Sequence, residues 1–360
     1  MTMAAAHSSP QANMSILSRL LLGPRSATPD PRDMSRDQFD CLVTLASLNH
    51  VVVRGLNVLL EDLRREGDEE RIESTEHALA AEQSRIQTAI GFLREICSAL
   101  ENEGHDVAVI KSLDHWPDLG SDLDLYTDAD PREIIALMKG RFQAGIAPRS
   151  WGDRLASKWN FVIPGLPEAV EIHMGRLGQT GEHLQMAARL VRRTRVIAID
   201  DTLFRVPSTS DRILISTLQR MYRHFYFRLC DIVDSAALVE RGSIDFDDLH
   251  DAATDAGIWE GVATYLTIVS DYVKSYRGSG LDLPPQVVDA ARFGGAEIYF
   301  SKDFLRVPIL PQSAKLYAKQ LAGLMRRREL ESGARLSLLP WLATAAVVGQ
   351  KITGSDKGIW

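Results

Sequence analysis

The chain is poor in the features that mark most specialised protein classes. It has only 3 cysteines in 360 residues. Cys41, Cys97 and Cys230 lie too far apart for a disulfide framework or a short metal-binding motif. Each sits in an apolar, helix-patterned stretch. All three therefore read as buried thiols in a reducing compartment, and the chain is expected to be cytoplasmic. Basic residues are not in excess: 41 Lys and Arg against 48 Asp and Glu give a net charge of −7. Nucleic acid would need a local basic patch, and "VRRTR" (191–195) is the strongest, although a solvated loop is the plainer reading of it. No apolar run reaches the roughly 18 residues needed to span a bilayer. The nearest is "LSLLPWLATAAVVG" (336–349), interrupted by Pro340. It reads as core or a docked terminal helix, with peripheral membrane contact as the alternative because "MRRREL" (325–330) precedes it. The N-terminus has no basic segment leading into a long apolar core, so no signal peptide is expected. Internal repeats are absent too.

What is present is ordinary globular composition, 45% hydrophobic and 25% charged, in a chain long enough for two or three domains. Residues 1–33 read as a flexible tail with one short amphipathic turn at 16–22. Residues 34–104 carry apolar positions at helical spacing and form a helical region, with a break near Asn49 and a stop at Gly104. Residues 105–208 change period. Short β-like runs (106–112, 123–128, 158–165, 169–175) surround a helix at 131–142 that begins with Pro131, and a hairpin at 195–208 turns at Asp200–Asp201. Residues 209–360 are helical again, with helices expected near 209–240, 245–257, 258–277, 285–293 and 310–330. The fold class is therefore α+β, a small mixed sheet between two helical regions.

The densest chemistry lies in "VIKSLDHWPDLGSDLDLYTD" (109–128). Side chains alternate along a strand, so Asp122 and Asp124 share one face while Leu123 and Leu125 point into the core. Two adjacent carboxylates resist ionisation unless a positive charge lies between them. Mg²⁺ supplies that charge, with oxygen ligands from one or two carboxylates plus substrate phosphates. Glu171, in "VEIH" (170–173), can complete a trio if its strand lies beside that of Asp122. Three carboxylates suit two ions and in-line phosphoryl chemistry. Surface aspartates at a strand end would also fit the pattern. His173 reads as a ligand, a proton shuttle or a hydrogen-bonded core histidine, and Lys158 as a surface lysine with the option of facing the site.

The order "IKS", eight residues, then "SDLDL" resembles the nucleotidyltransferase superfamily that includes DNA polymerase β. The chain is most similar to the uncharacterised bacterial nucleotidyltransferase-like proteins with a lysine turn before Asp-x-Asp. "LASLNH" (45–50) and "VEIH" match that layout, and the likeness covers about residues 38–275. The turn here is Lys111-Ser112, with no glycine. The resemblance implies transfer of a nucleotidyl group from an NTP to a hydroxyl of an unknown acceptor: a small molecule, sugar, protein or RNA. It implies Mg²⁺, with two ions expected, on Asp122, Asp124 and Glu171. Glu171 would also activate the acceptor, while Lys111, Ser112 and Ser121 would lie at the nucleotide. A nucleotide-binding or regulatory module without turnover is the alternative.

"DRILISTLQRMYRHFYFRLCDIVDSAALV" (211–239) is the other informative stretch. Read as one helix, it places Arg220, His224, Arg228 and Asp231 on one face. His224 and Arg228 are the expected nucleotide-binding residues, and an Arg228–Asp231 pair on a solvated face is the plainer alternative.

Overall fold

A computed structural model describes residues 10–24, 35–342 and 344–345. The architecture is α+β. Its central sheet has five strands: β1 (Val107–Val109), β2 (Asp122–Thr127), β3 (Gly145–Ile146), β4 (Lys158–Val162) and β5 (Ala169–Met174). Their spatial order is β1-β2-β5-β4-β3. Only β2 and β5 run parallel, joined by a crossover that includes the helix Pro131–Phe142. That helix starts as the sequence predicts: Pro131 needs no hydrogen bond at the first turn, and Asp130 accepts one from the Arg132 N–H. Leu123, Leu125, Val170 and Ile172 are fully buried on one face of the sheet. They join a continuous core with Leu93, Ile96 and Leu100 of the helix Glu69–Asn102. The hairpin forms as β6 (Thr194–Ile199) and β7 (Thr202–Pro207), turning at Asp200 with φ 48°.

The expected helix break falls where the sequence places it, between helices Arg36–Leu48 and Val52–Glu66. Asn49 fastens this corner. Its side chain accepts from the Leu229 N–H (3.0 Å) and donates to the Asp303 carbonyl (3.1 Å).

Four expectations need correction. Part of the presumed tail is a docked helix, Pro10–Leu22, with Met14, Leu17, Leu20 and Leu22 buried. Tertiary burial stabilises a helix too short to stand alone. The single helix expected at 209–240 is broken. It runs Thr209–Thr217, widens into a π-turn at Leu218–His224, reverses at Phe225 (φ 55°), and resumes at Leu229–Glu240. Between the halves, β8 (Tyr226–Phe227) pairs with β10 (Phe304–Arg306), which also pairs with β9 (Tyr299–Ser301). The β-favouring run Phe225–Tyr226–Phe227 finds pairing partners there, which outweighs its helical spacing. Cys41 is exposed, unlike Cys97 and Cys230. The segment "VRRTR" is the end of a helix and the start of β6 rather than a loop, and Arg193 pairs with Asp248. Among the described residues, no helix is long and apolar enough to cross a membrane. Of the apolar segment expected to dock at 336–349, residues 343 and 346–349 lie outside the described residues; in the rest, Leu336 is buried while Leu338 and Trp341 are exposed.

Candidate active site

The parallel pairing of β2 and β5 sets Asp124 directly beside Glu171. Asp122 lies two residues earlier, so all three carboxylates lie on one side of the sheet. Asp122 is the exposed member. Asp124 and Glu171 are nearly enclosed, with side chains 13% and 12% exposed. One ligand atom each from Asp124, Glu171 and His173 lies within 4.8 Å of the others.

Two lysines balance this negative charge. Lys111 pairs with Asp124 and sits 3.5 Å from Glu171. Lys158, which the sequence left as a surface residue, is only 6% exposed. Its Nζ is 2.9 Å from Glu171 and 2.8 Å from Asp153. It stands at the start of β4, in register with His173. His173 Nε2 lies 2.8 Å from Glu171 Oε1.

These surroundings drive the carboxyls apart. Burial and then the Glu171 charge hold Asp124 up at about 7, against the pull of Lys111. Asp122, though the most open of the three, is raised as well, by desolvation in the cleft and then by Glu171. Burial would raise Glu171 too, yet Lys111, His173 and Lys158 keep it well below the usual carboxylate range. Burial lowers His173 to about 4, so its imidazole is neutral.

The turn before β2 reaches its shape without glycine. Lys111 itself adopts φ 64°, in the left-handed region that glycine usually occupies. Ser112 straps the turn to β2. Its hydroxyl donates to the Asp122 carbonyl (3.1 Å) and accepts from the Asp124 N–H (2.7 Å). Ser121 donates weakly to Asp122 at 3.4 Å.

Across a cavity of about 160 Å³ from the acids stands a basic wall. Arg220, Arg223, His224 and Arg228 all line it, so the predicted residues reach the site although their helix is broken. The break changes their partners. Asp231 pairs with Arg220 at 2.7 Å, both side chains almost fully buried, and accepts from the Arg228 backbone N–H. The Arg228 side chain is thus released to lie over Tyr226 and Phe304. Arg220 Nη1 and Arg228 Nε are buried without a hydrogen-bond partner among the described residues. Burial, then Arg223 and the other cations, push His224 well below its ordinary value, leaving it neutral. Trp116 and Trp151 are exposed and take no part in the cavity.

An apolar pocket continues from the same cavity, sharing Lys111, Gln219 and Arg223. Its walls include Leu177, Ile215, Leu218 and Tyr222, and His173 reaches it.

In comparisons with known proteins, no family model and no curated protein matches the chain.

Proposed function

We propose that the protein is a Mg²⁺-dependent nucleotidyltransferase that moves a nucleoside monophosphate from an NTP to a hydroxyl of an acceptor, releasing pyrophosphate. The observation that carries this reading is the acid trio facing buried, underused arginines across one cavity. Carboxylates suit a hard divalent cation, and unpartnered guanidinium groups suit phosphate oxygens. The motif order of the lysine turn, Asp-x-Asp and the later glutamate supports the same reading through its resemblance to the nucleotidyltransferase superfamily.

The donor set fits magnesium. Asp122, Asp124 and Glu171 would hold it; burial, then the Glu171 charge, raises Asp124, and a bound cation would offset both. When bound, the ion would neutralise charge on the phosphates and on the reacting oxygens. The chain's own residues do the rest by placement. Arg220 and Arg228 clamp the phosphates. Lys111, paired with Asp124 and near Glu171, would offer a point charge to a phosphate oxygen. Ser112 holds the two aspartates in register through the backbone. Glu171, kept ionised by Lys111, His173 and Lys158, accepts the acceptor hydroxyl proton. The apolar pocket beside His173 gives the acceptor a place next to that base. Catalysis then rests on positioning and on charges fixed in advance.

A nucleotide-binding module without turnover is the second reading. One observation favours it: Lys111 and Lys158 already neutralise Asp124 and Glu171. Pyrophosphate release from mixed NTPs with Mg²⁺, with and without cell extract, separates the two. Turnover that disappears in Asp122→Asn and in Glu171→Gln supports the enzyme. Metal-dependent nucleotide binding with no pyrophosphate from any NTP supports the module. Pyrophosphate release that survives both substitutions removes these acids from the chemistry.

A further inference from the structure

A second group of ligating side chains meets on the cavity wall away from the acids. His50, His115 and Cys230 each place one donor atom within 4.8 Å of the other two. His115 Nε2 lies 3.7 Å from Cys230 Sγ. In a tetrahedral zinc site, bonds of about 2.3 Å to sulfur and 2.0 Å to nitrogen put those atoms roughly 3.5 Å apart. This pair therefore already stands near ligand spacing. The other ring nitrogen of His115 is 2.5 Å from Asp234, and a carboxylate behind a histidine fixes the ring and tautomer for ligation. Arg54 holds Asp234 in turn (2.5 Å) and also bonds Asp118 (2.7 Å). His50 supplies the independent sign. It is 8% exposed, lines the cavity, and its Nδ1 has no hydrogen-bond partner among the described residues. A buried polar atom left unpaired is costly.

We propose that His50, His115 and Cys230 bind one thiolate-accepting transition-metal ion, with zinc the best fit, at a site separate from the acid trio. One thiolate and two imidazoles are too soft a set for Mg²⁺ or Ca²⁺ and suit zinc. Nearby Arg220 and Arg228 oppose a cation, while the thiolate and Asp234 offset them. Cys230 is fully buried, whereas both histidines face the cavity, so the fourth position opens towards the nucleotide side. The ion would fasten three distant segments together: the break at Asn49, the turn before β2, and the helix Leu229–Glu240. Arg228 lies two residues before Cys230, so the same ion would fix the basic wall opposite the acids.

The test uses the full chain, purified under reducing conditions without chelator. Elemental analysis should find about one zinc per chain. Titrating Co²⁺ into the metal-free protein should give a tetrahedral spectrum with a sulfur-to-cobalt charge-transfer band. Cys230→Ser should abolish that band, and Cys41→Ser should keep it. Asp234→Asn should weaken zinc about 10–100-fold. Asp124→Asn should leave zinc affinity unchanged. Circular dichroism checks that each variant folds, and where Cys230→Ser does not, the cobalt spectrum of the unaltered protein decides. Absence of the charge-transfer band in that protein overturns the proposal. So does equal zinc affinity in a folded Cys230→Ser, or zinc lost only with Asp124→Asn. None of these readouts involves nucleotide turnover, so this site can fail while the transferase reading stands, and the reverse.

Discussion

Replacing Asp124 by asparagine should stabilise the metal-free protein while removing its response to magnesium. Burial, then the charges of Glu171 and Asp122, raise this carboxyl from 3.8 to about 7 against the pull of Lys111. Keeping it ionised above that pH costs about 4 kcal/mol, at about 1.4 kcal/mol for each tenfold change in proton affinity. Asparagine removes that cost but also takes away the partner of Lys111, so a net gain of about 1–3 kcal/mol is expected. The sign follows from proton binding. Below about pH 4 the carboxyl is protonated in both folded and unfolded chains, and the substitution gains nothing. As pH rises towards about 7, the unfolded chain releases its proton first and the unaltered protein loses stability. The advantage of Asp124→Asn therefore opens between these limits and is constant above them. Urea unfolding with chelator present, near pH 5 and near pH 8, measures it. Adding magnesium at about 100 times its dissociation constant should then stabilise the unaltered protein by about 2.7 kcal/mol and leave the variant unmoved. A variant less stable than its parent at the higher pH without metal, or one that magnesium stabilises equally, would refute the electrostatic account.

Three further substitutions probe the frame around the acids. Ser112→Ala breaks two bonds between the turn and β2, so urea unfolding should show a loss of about 1–3 kcal/mol. Arg228→Gln, measured by calorimetry with a non-hydrolysable NTP analogue, should weaken binding by about 1.5–3 kcal/mol, with the melting temperature little changed. An unchanged affinity would take Arg228 out of the phosphate clamp. Arg220→Met strands the buried Asp231 carboxylate and should cost about 3–5 kcal/mol of stability. Adding Asp231→Asn should recover most of that loss, and failure to recover it would mean that the pair is not the source.

Local pattern accounts for what the sequence made legible. The alternation Asp122-Leu123-Asp124-Leu125 reports its own strand and faces, and Pro131 after Asp130 marks a helix start whatever lies around it. The acid trio could be anticipated for the same reason: i and i+2 share a face, and only the pairing of β2 with β5 remained to be assumed. Lys158 escaped because its burial depends on Asp153 and Glu171, neither of them its neighbour in sequence. The helix Pro10–Leu22 escaped because its apolar face gains meaning only once docked, with Ser18 bonded to Tyr272. At Phe225 two local signals conflicted, helical spacing against β-favouring aromatics, and partners some 80 residues later decided between them. His50, His115 and Cys230 have no spacing at all that would relate them; only the folded chain brings them together.

The bracing of Arg228 has a consequence for the order in which the protein becomes competent. Its guanidinium lies over Tyr226 and Phe304, and those two rings stack 4.4 Å apart. A nascent chain that has passed residue 228 but not 304 would carry every acid and the opposing cation but lack half of the brace behind it. With Arg228 in the proposed phosphate clamp, the basic wall is complete only once Phe304 has been made.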